Sequence, residues 1–443
     1  MDEVKNILVL NPFPTFPIEQ GSSRRTWNLL NEIKANNYNI HMVYYAAYKY
    51  NKNNLKMLQP NFDTVTIIEK NNEYYPQKGK NNPLDNLYEN GLGEKISELC
   101  KLLSVDIVLC NYIFQSKVFE FLPKDIIKII DTHDVFTDKY KFENWHSFSK
   151  EDEAKALNRA NLIISIQSNE EKYFKSISNT NVITINHLEN PQFLEKKYNK
   201  LKIIGILSSG HKQDLIAIQQ FVRAFKKFIK KGYTGIELHI AGKVCDKLSE
   251  AEVNIPEVKC LGLVKDLKEF YNSIDLICSI PINGTGLKIK TVEAMSYGIP
   301  LVSTKCGSDG INTNLKSHNC LDINSALKEI EQIIIGTITL DELANQSKRI
   351  FLQYLKENKQ RLNNIFPPNN SEKNTLYTTI CKLYNQLEMS NARDGFSVGH
   401  TNNDAMDNLF NLIEKLSQTQ FFKTPFKKYD LYKRMLDVFY SNK

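Results

Sequence analysis

Five residues able to do chemistry crowd into one short run of this chain: Gly284, Gly286, Lys288, Lys290 and Glu293, inside the stretch Pro281 to Ile311 (PINGTGLKIKTVEAMSYGIPLVSTKCGSDGI). Glycines let a backbone approach a ligand closely, and two cations beside them suit a phosphate or diphosphate. A carboxylate about one helical turn later is placed to accept hydrogen bonds from a ribose diol. Together these types point to a nucleotide. Glycines making only a turn and lysines forming only a solvated face would leave the convergence with Glu293 unexplained. A second cluster is Asp131-Thr132-His133-Asp134. A histidine between carboxylates can shuttle a proton, ligate a metal, touch a sugar hydroxyl, or simply have its ring held by Asp131 or Asp134 to fix a loop. No second histidine sits nearby at ligand spacing, which speaks against metal, and His146 reads as a separate surface residue.

Both clusters need elements to hold them. Asp275 to Pro281 (DLICSIP) is apolar on both faces, as a buried parallel strand is, and Leu287 to Ser296 has helix-forming spacing. That helix is expected to close at Tyr297-Gly298-Ile299-Pro300, with Gly298 just past its end, before a strand Leu301 to Thr304. In open α/β sheets ligands bind outside the carboxyl ends of strands, where helix N-termini offer unpaired N–H groups. The same strand, loop, helix alternation runs through the chain. Strands are predicted at Asn6 to Asn11, Asn39 to Tyr45, Thr64 to Ile68, Asp106 to Cys110, Ile126 to Ile130, Asn161 to Ile166 and Val182 to Ile185, and again at Lys202 to Leu207, Ile236 to Gly242 and Val258 to Val264. The first is followed by a Pro-rich loop and a helix starting near Ser22 or Ser23, where Gly21, Arg24 and Arg25 make either a second anion site or a turn with solvated arginines. Ser208-Ser209-Gly210-His211-Lys212, after Leu207, reads by itself as an ordinary βα turn. The class is α/β with parallel sheets.

The stretch GTGLKIKTVEAMSYGIPLVSTKCGSDGI resembles the donor-site signature of family 4 glycosyltransferases of the GT-B fold, in the subgroup with a G-x-G-x-K-x-K lead into E-A-M. Many members carry a first glutamate eight positions before the E-A-M glutamate, where this chain has Thr285. The resemblance implies two Rossmann-like, doubly wound domains facing a cleft: 1–186 on the acceptor side, a linker 187–200, 201–368 binding the nucleotide sugar, and a helical extension 369–443. It implies transfer of a glycosyl unit from a nucleotide-diphosphate sugar to an acceptor hydroxyl with retention and without metal, in bacterial-type cell-surface glycan or glycoconjugate synthesis. Lys288, Lys290 and the helix N-terminus would hold the departing diphosphate, Glu293 the ribose, and His133 the donor sugar. Gly284, Thr285, Gly286 and Leu287 would line the donor. Gly21 on the first domain, and Gly210 with Lys212 and His211 on the second, would approach phosphate, while Leu263 and Val264 would edge the base. The acceptor is a carbohydrate, a lipid-linked carrier or a protein. Two other readings stand beside this one: a nucleotide-sugar epimerase, and a catalytically silent subunit supporting a partner transferase, for which Thr285 is the motive.

The totals fit such a chain. At 443 residues and 51.2 kDa, with 42% hydrophobic and 24% charged residues, it can bury the cores of two domains. A net charge of +7 spread over Asn/Lys-rich segments is no nucleic-acid footprint. Eight cysteines without a C-x-x-C pair read as small core residues and need no cofactor or disulfide framework. An acidic N-terminus passing straight into a strand and no long apolar run lead to an expected cytoplasmic location, extending to the inner face of the membrane. Residues 71–90 read as an exposed loop. The tail ends in aromatics among lysines, suited to packing on the first domain, to an oligomer contact, or to peripheral membrane association.

Overall fold

The computed structural model describes residues 4–391 apart from 14, 17, 19, 47–55, 70–73, 75, 142–145, 285 and 374. The chain divides into two compact units, one drawn from Met1–Ser165, Glu171–Ile183 and Leu362–Lys443, the other from Ile166–Glu170 and Thr184–Arg361. Residues 187–200 thus belong with the second unit.

The first unit is built on a seven-stranded sheet in the order β3-β2-β1-β4-β5-β6-β7. Its strands are β1 (Asn6–Asn11), β2 (Asn39–Ala46), β3 (Thr64–Glu69), β4 (Ile107–Asn111), β5 (Ile127–Asp131), β6 (Leu162–Ser165) and β7 (Asn181–Thr184). β1 pairs in parallel with β2 on one side and β4 on the other, with Ile7 opposite both Ile40 and Ile107. All six residues of β1 are buried, which is why its sequence is apolar without alternation. The core includes Leu8, Leu10, Val108, Ile130, Phe136, Phe148 and Phe174, each essentially sealed from solvent.

The second unit repeats the plan with five strands in the order β10-β9-β8-β11-β12: β8 (Ile203–Leu207), β9 (Glu237–Ala241), β10 (Val258–Gly262), β11 (Leu276–Ser279) and β12 (Leu301–Ser303). β8 pairs in parallel with β9 and β11. In each unit the chain leaves the central strand to one side and returns to the other, so β1/β4 and β8/β11 are topological switch points, where loops diverge and leave a crevice. Two Rossmann-like α/β units are therefore present, and the strands lie within two residues of the apolar runs that announce them.

Elsewhere the structure departs from expectation. The first helix spans Gly21–Ala35 and begins before the serines, after an extended Gln20 that offers no side-chain cap. The helix after the glycine turn spans Ile289–Ser296, so Lys288 is its N-cap rather than a first-turn residue. Within 71–90 the later residues are not an exposed loop: Asn82, Leu84, Leu87, Tyr88 and Glu89 are buried, and Asn82 accepts from Gln77 N–H and donates back to Gln77 O. His146 is not a separate surface residue, since its ring lies 4.9 Å from that of Phe114. Cys260 is exposed, unlike Cys100, Cys110, Cys278, Cys320 and Cys381. Its strand β10 is the sheet edge, with only Val258 buried.

The extension begins by closing the β3 edge of the first unit, to which it belongs. The helix Thr375–Asn391 lies along β3, where Asn385 Oδ1 accepts the Val65 N–H at 2.9 Å and its Nδ2 donates to Asp63 O at 3.0 Å. Tyr384 Oη meets Thr66 Oγ1 at 2.7 Å, and Tyr377 Oη meets His41 Nε2 at 2.7 Å. A side-chain amide thus takes the place of a neighbouring strand, one way to blunt an exposed edge. The aromatics among lysines at the end of the tail lie outside the described residues.

Candidate functional site

The second unit's switch point collects the lysine cluster. β8 and β11 are neighbours (Ile277 opposite Gly205), so the loops Ser208–His211 and Ile280–Lys288 leave adjacent strand ends, and each runs into a helix, Lys212–Lys230 and Ile289–Ser296. Gly210, Gly284 and Gly286 have φ of +78°, +112° and +77°, which glycine alone adopts without strain. Gly210 also has no room for a side chain, because a Cβ there would meet Val244 Cα at 2.9 Å. Its N–H donates to Ser208 Oγ at 3.2 Å, and Lys247 Nζ donates to its carbonyl at 2.8 Å. Thr285 lies outside the described residues.

The three charged residues of the signature differ in state. Lys288 Nζ donates to Gly286 O at 3.2 Å, closing the glycine turn. Glu293 is buried, with Oε1 accepting from Tyr271 Oη at 2.8 Å, and the Tyr271 ring stacks on Tyr297 at 4.6 Å. Lys290 Nζ is shielded from solvent and has no hydrogen-bond partner among the described residues. Burial lowers the Lys290 pKa from its ordinary value, against the opposing pull of Asp214 and Glu293. A buried ammonium without an acceptor is costly and is the natural receptor of an anion.

The loops are braced from beneath. Thr291 Oγ1 bonds Ser279 Oγ and Gly307 O, both at 2.7 Å, and Thr304 Oγ1 donates to Pro281 O at 2.6 Å, tying the ends of β11 and β12 together. Cys306, half-buried, faces the same place, its thiol pushed up by burial with Lys288 pulling the other way and Asp309 and Asp214 adding to the rise. Among the remaining expected contacts, Lys212 and His211 are exposed at the start of the helix Lys212–Lys230, Leu287 is buried, and Val264 is half-buried beside Leu263, which is 69% exposed. Sequence reasoning missed Ser208, Asp214, Tyr271 and Thr291. An acid in the first turn after Gly210 was a readable signal for Asp214. Tyr271 had none, because nothing local ties it to Glu293.

The first unit's switch point holds a different arrangement. His133 follows β5 with φ of +59°, an uncommon backbone state for a non-glycine residue. Its Nε2 lies 3.0 Å from Asp131 Oδ2 and 3.2 Å from Asn111 Oδ1, and its ring sits 4.5 Å from that of Tyr112. Asp131 is fully buried and takes a two-pronged grip from Arg25, with Nε to Oδ2 at 3.0 Å and Nη2 to Oδ1 at 2.5 Å. Burial would raise the Asp131 carboxyl, but Arg25 and His133 overcome it and hold the group well below the usual carboxylate range. Asp134 pairs instead with Lys139. Gly21 is exposed at its helix start. Arg25 is neither a solvated residue nor an available anion ligand, because its guanidinium is committed to Asp131. Among the described residues no three His, Cys, Asp or Glu side chains are grouped to hold a metal ion, and no helix is long and apolar enough to cross a membrane.

Residues 202–335, within the second unit, match the family described as glycosyl transferases group 1. A 143-residue stretch, 28% of this chain, is 24% identical to an uncharacterized 44.6 kDa protein in the cps region of Klebsiella pneumoniae and spans 37% of that protein. Solved structures agree over far more of the chain. A point mutant of S. aureus TarM, crystallised with fondaparinux, alpha-GlcNAc-glycerol and UDP, superimposes with a TM-score of 0.61 at 13% identity, over 82% of this chain and 100% of that one. The pneumococcal O-GlcNAc transferase GtfA, with UDP and GlcNAc, gives 0.60 at 10% identity over 82% and 99%. Sucrose-phosphate synthase from Thermosynechococcus elongatus gives 0.57 at 13% identity over 86% and 99%. The chain thus has the fold of the GT-B glycosyltransferases, and its residues 202–335 match the glycosyl transferases group 1 model.

Proposed function

We propose that the protein is a glycosyltransferase that moves a sugar from a nucleotide-diphosphate donor to an acceptor hydroxyl, with retention and without a metal cofactor. The observation that carries the reading is Lys290, an ammonium shielded from solvent and without a hydrogen-bond partner among the described residues, beside a glycine turn at the β8/β11 switch point. Lys290, with Lys288 at the N-cap, would neutralise charge as the sugar–phosphate bond breaks, which is electrostatic stabilisation of the leaving group. Glu293, its rotamer fixed by Tyr271, would accept from the ribose hydroxyls. Gly210, Gly284, Gly286 and Leu287 would bring backbone close to the diphosphate, with Lys212 at the rim and Val264 near the base. On the first unit we assign His133 to sugar recognition, its ring fixed by Asp131 and Asn111. TarM and GtfA were crystallised with UDP, so uridine sugars are the donors to try first. A place in bacterial-type cell-surface glycan synthesis is our reading of the acceptor class.

Thermal unfolding against a panel of nucleoside diphosphates and their sugars tests the assignment, because a ligand that binds only the folded state raises the melting temperature. One nucleotide sugar should raise it in the native chain and fail to do so in Lys290→Ala. A shift that survives the substitution would move the diphosphate away from Lys290, and no shift with any member of the panel would sink the donor-site reading.

A further inference from the structure

Asp214 stands where an anion-binding site would be expected to avoid a negative charge. It lies in the first turn of the helix Lys212–Lys230, at the dipole's positive end, and directly follows the Ser208–His211 turn. Its Oδ2 accepts from Ser208 Oγ at 3.0 Å, and the same Ser208 hydroxyl accepts the Gly210 N–H. The carboxylate is therefore tied to the loop at the end of β8, next to the strand whose following helix carries Lys290. Lys290 has no ion-pair partner within reach among the described residues, yet it feels Asp214 through space. Cys306 and Lys288 face the same region.

We propose that Asp214 is a built-in counter-anion of this site, competing with a bound diphosphate for Lys290 and so setting how tightly the product nucleotide is held and how fast it leaves. In the free protein it offsets part of the desolvated ammonium's charge without contacting it. When a diphosphate arrives, the two like charges face one another across the crevice, and the diphosphate leaves more readily than the lysines and helix ends alone would allow. The geometry that keeps Asp214 from pairing with Lys290 is its hydrogen bond to Ser208, which orients the carboxylate toward its own loop.

The inference rests on the donor-site reading, and two measurements keep them apart. The first is titration of Lys290 by NMR of the isotope-methylated amine in the ligand-free chain. Because Asp214 pulls the Lys290 pKa upward, Asp214→Asn should move that titration further down, and an unmoved titration overturns the proposal whatever the protein binds. The second is calorimetric affinity for UDP and for inorganic pyrophosphate. Asp214→Asn should bind the probe the native chain accepts roughly threefold to tenfold tighter, the size of one partly screened charge interaction, with the gain shrinking at high salt. Ser208→Ala, which loosens the loop but keeps the carboxylate, should not tighten binding. Equal or weaker binding by Asp214→Asn, or an equal gain from Ser208→Ala, refutes the counter-anion. A native chain that takes neither probe, with the Lys290 titration moving as expected, counts against the donor-site reading alone.

Discussion

Replacing Lys290 with methionine should make the ligand-free protein more stable while removing its ability to be stabilised by nucleotide. Lys290 Nζ is shielded from solvent without a hydrogen-bond acceptor among the described residues, and burial depresses its pKa. A charged donor left unsatisfied costs on the order of 1–3 kcal/mol, and a methionine of similar length keeps the packing of the stem while removing the charge. For a domain of this size each kcal/mol moves the melting temperature by roughly 2–4 °C, so Lys290→Met should melt about 2–12 °C above the native chain in the absence of ligand. Added nucleotide reverses the order, since a ligand at a hundred times its Kd contributes about 2.7 kcal/mol and only the native chain receives it. The pH dependence has a definite sign. A lysine whose folded pKa is lowered leaves the unfolded state binding more protons between that lowered value and the ordinary 10.5, so native stability rises with pH across the window. The advantage of Lys290→Met is complete below the lowered value and vanishes above the ordinary one. Scanning calorimetry at several pH values measures all of this. A Lys290→Met protein less stable than the native chain at neutral pH without ligand would show that the ammonium is satisfied, and the anion-receptor argument would fall.

Three further outcomes follow from single contacts. Asp131→Asn should destabilise the first unit by roughly 3–5 kcal/mol in denaturant unfolding, because it leaves the buried Arg25 without its counter-charge; a loss under about 1 kcal/mol would mean Arg25 finds another partner. Burial pushes the Glu153 carboxyl up to about 7, against the hydrogen bonds it accepts from Thr137 and Phe136. The folded state then holds the extra proton between the ordinary 4.5 and about 7, so stability should fall as pH rises through that window, and Glu153→Gln should lose that slope. A native profile that is flat there contradicts it. Gly242 has φ of +98° and a Cβ there would collide with Ser208 O, so Gly242→Ala should cost at least about 2 kcal/mol and weaken nucleotide binding through the Ser208 turn; unchanged binding would separate that turn from the site.

Most of the fold was legible because parallel strands buried on both faces leave continuous apolar runs. NILVLN, DLICSIP and IELHIAG each mark a strand of the sheets. The edge strand β10 was less transparent, since VKCLGLV looks equally buried while its Cys260 and Leu261 face solvent. That the lysines and glycines of Pro281 to Ile311 lie together was legible because one short run of backbone carries them all. What escaped was whatever depends on distant partners: Tyr271 beneath Glu293, Asn385 standing in for a strand beside β3, and the buried side of residues 82–89.

Arg25 is the most instructive of these. From sequence, Gly21 with Arg24 and Arg25 resembles the lysine cluster in kind: small residue, helix start, two cations. The structures of the two switch points differ in what the cations already hold. Arg25 gives Nε and Nη2 of its guanidinium to Asp131, which also fixes His133, so that charge is internally balanced and serves to pin the loop after β5. Among the described residues Lys290 has no such partner, and Asp214 and Glu293 act on it only through space. Similar composition at a helix start therefore separates into an internally paired cation on one unit and, among the described residues, an unpartnered one on the other. Composition could not tell them apart, because the distinction lies in Asp131, more than a hundred residues from Arg25 in sequence and adjacent to it in space.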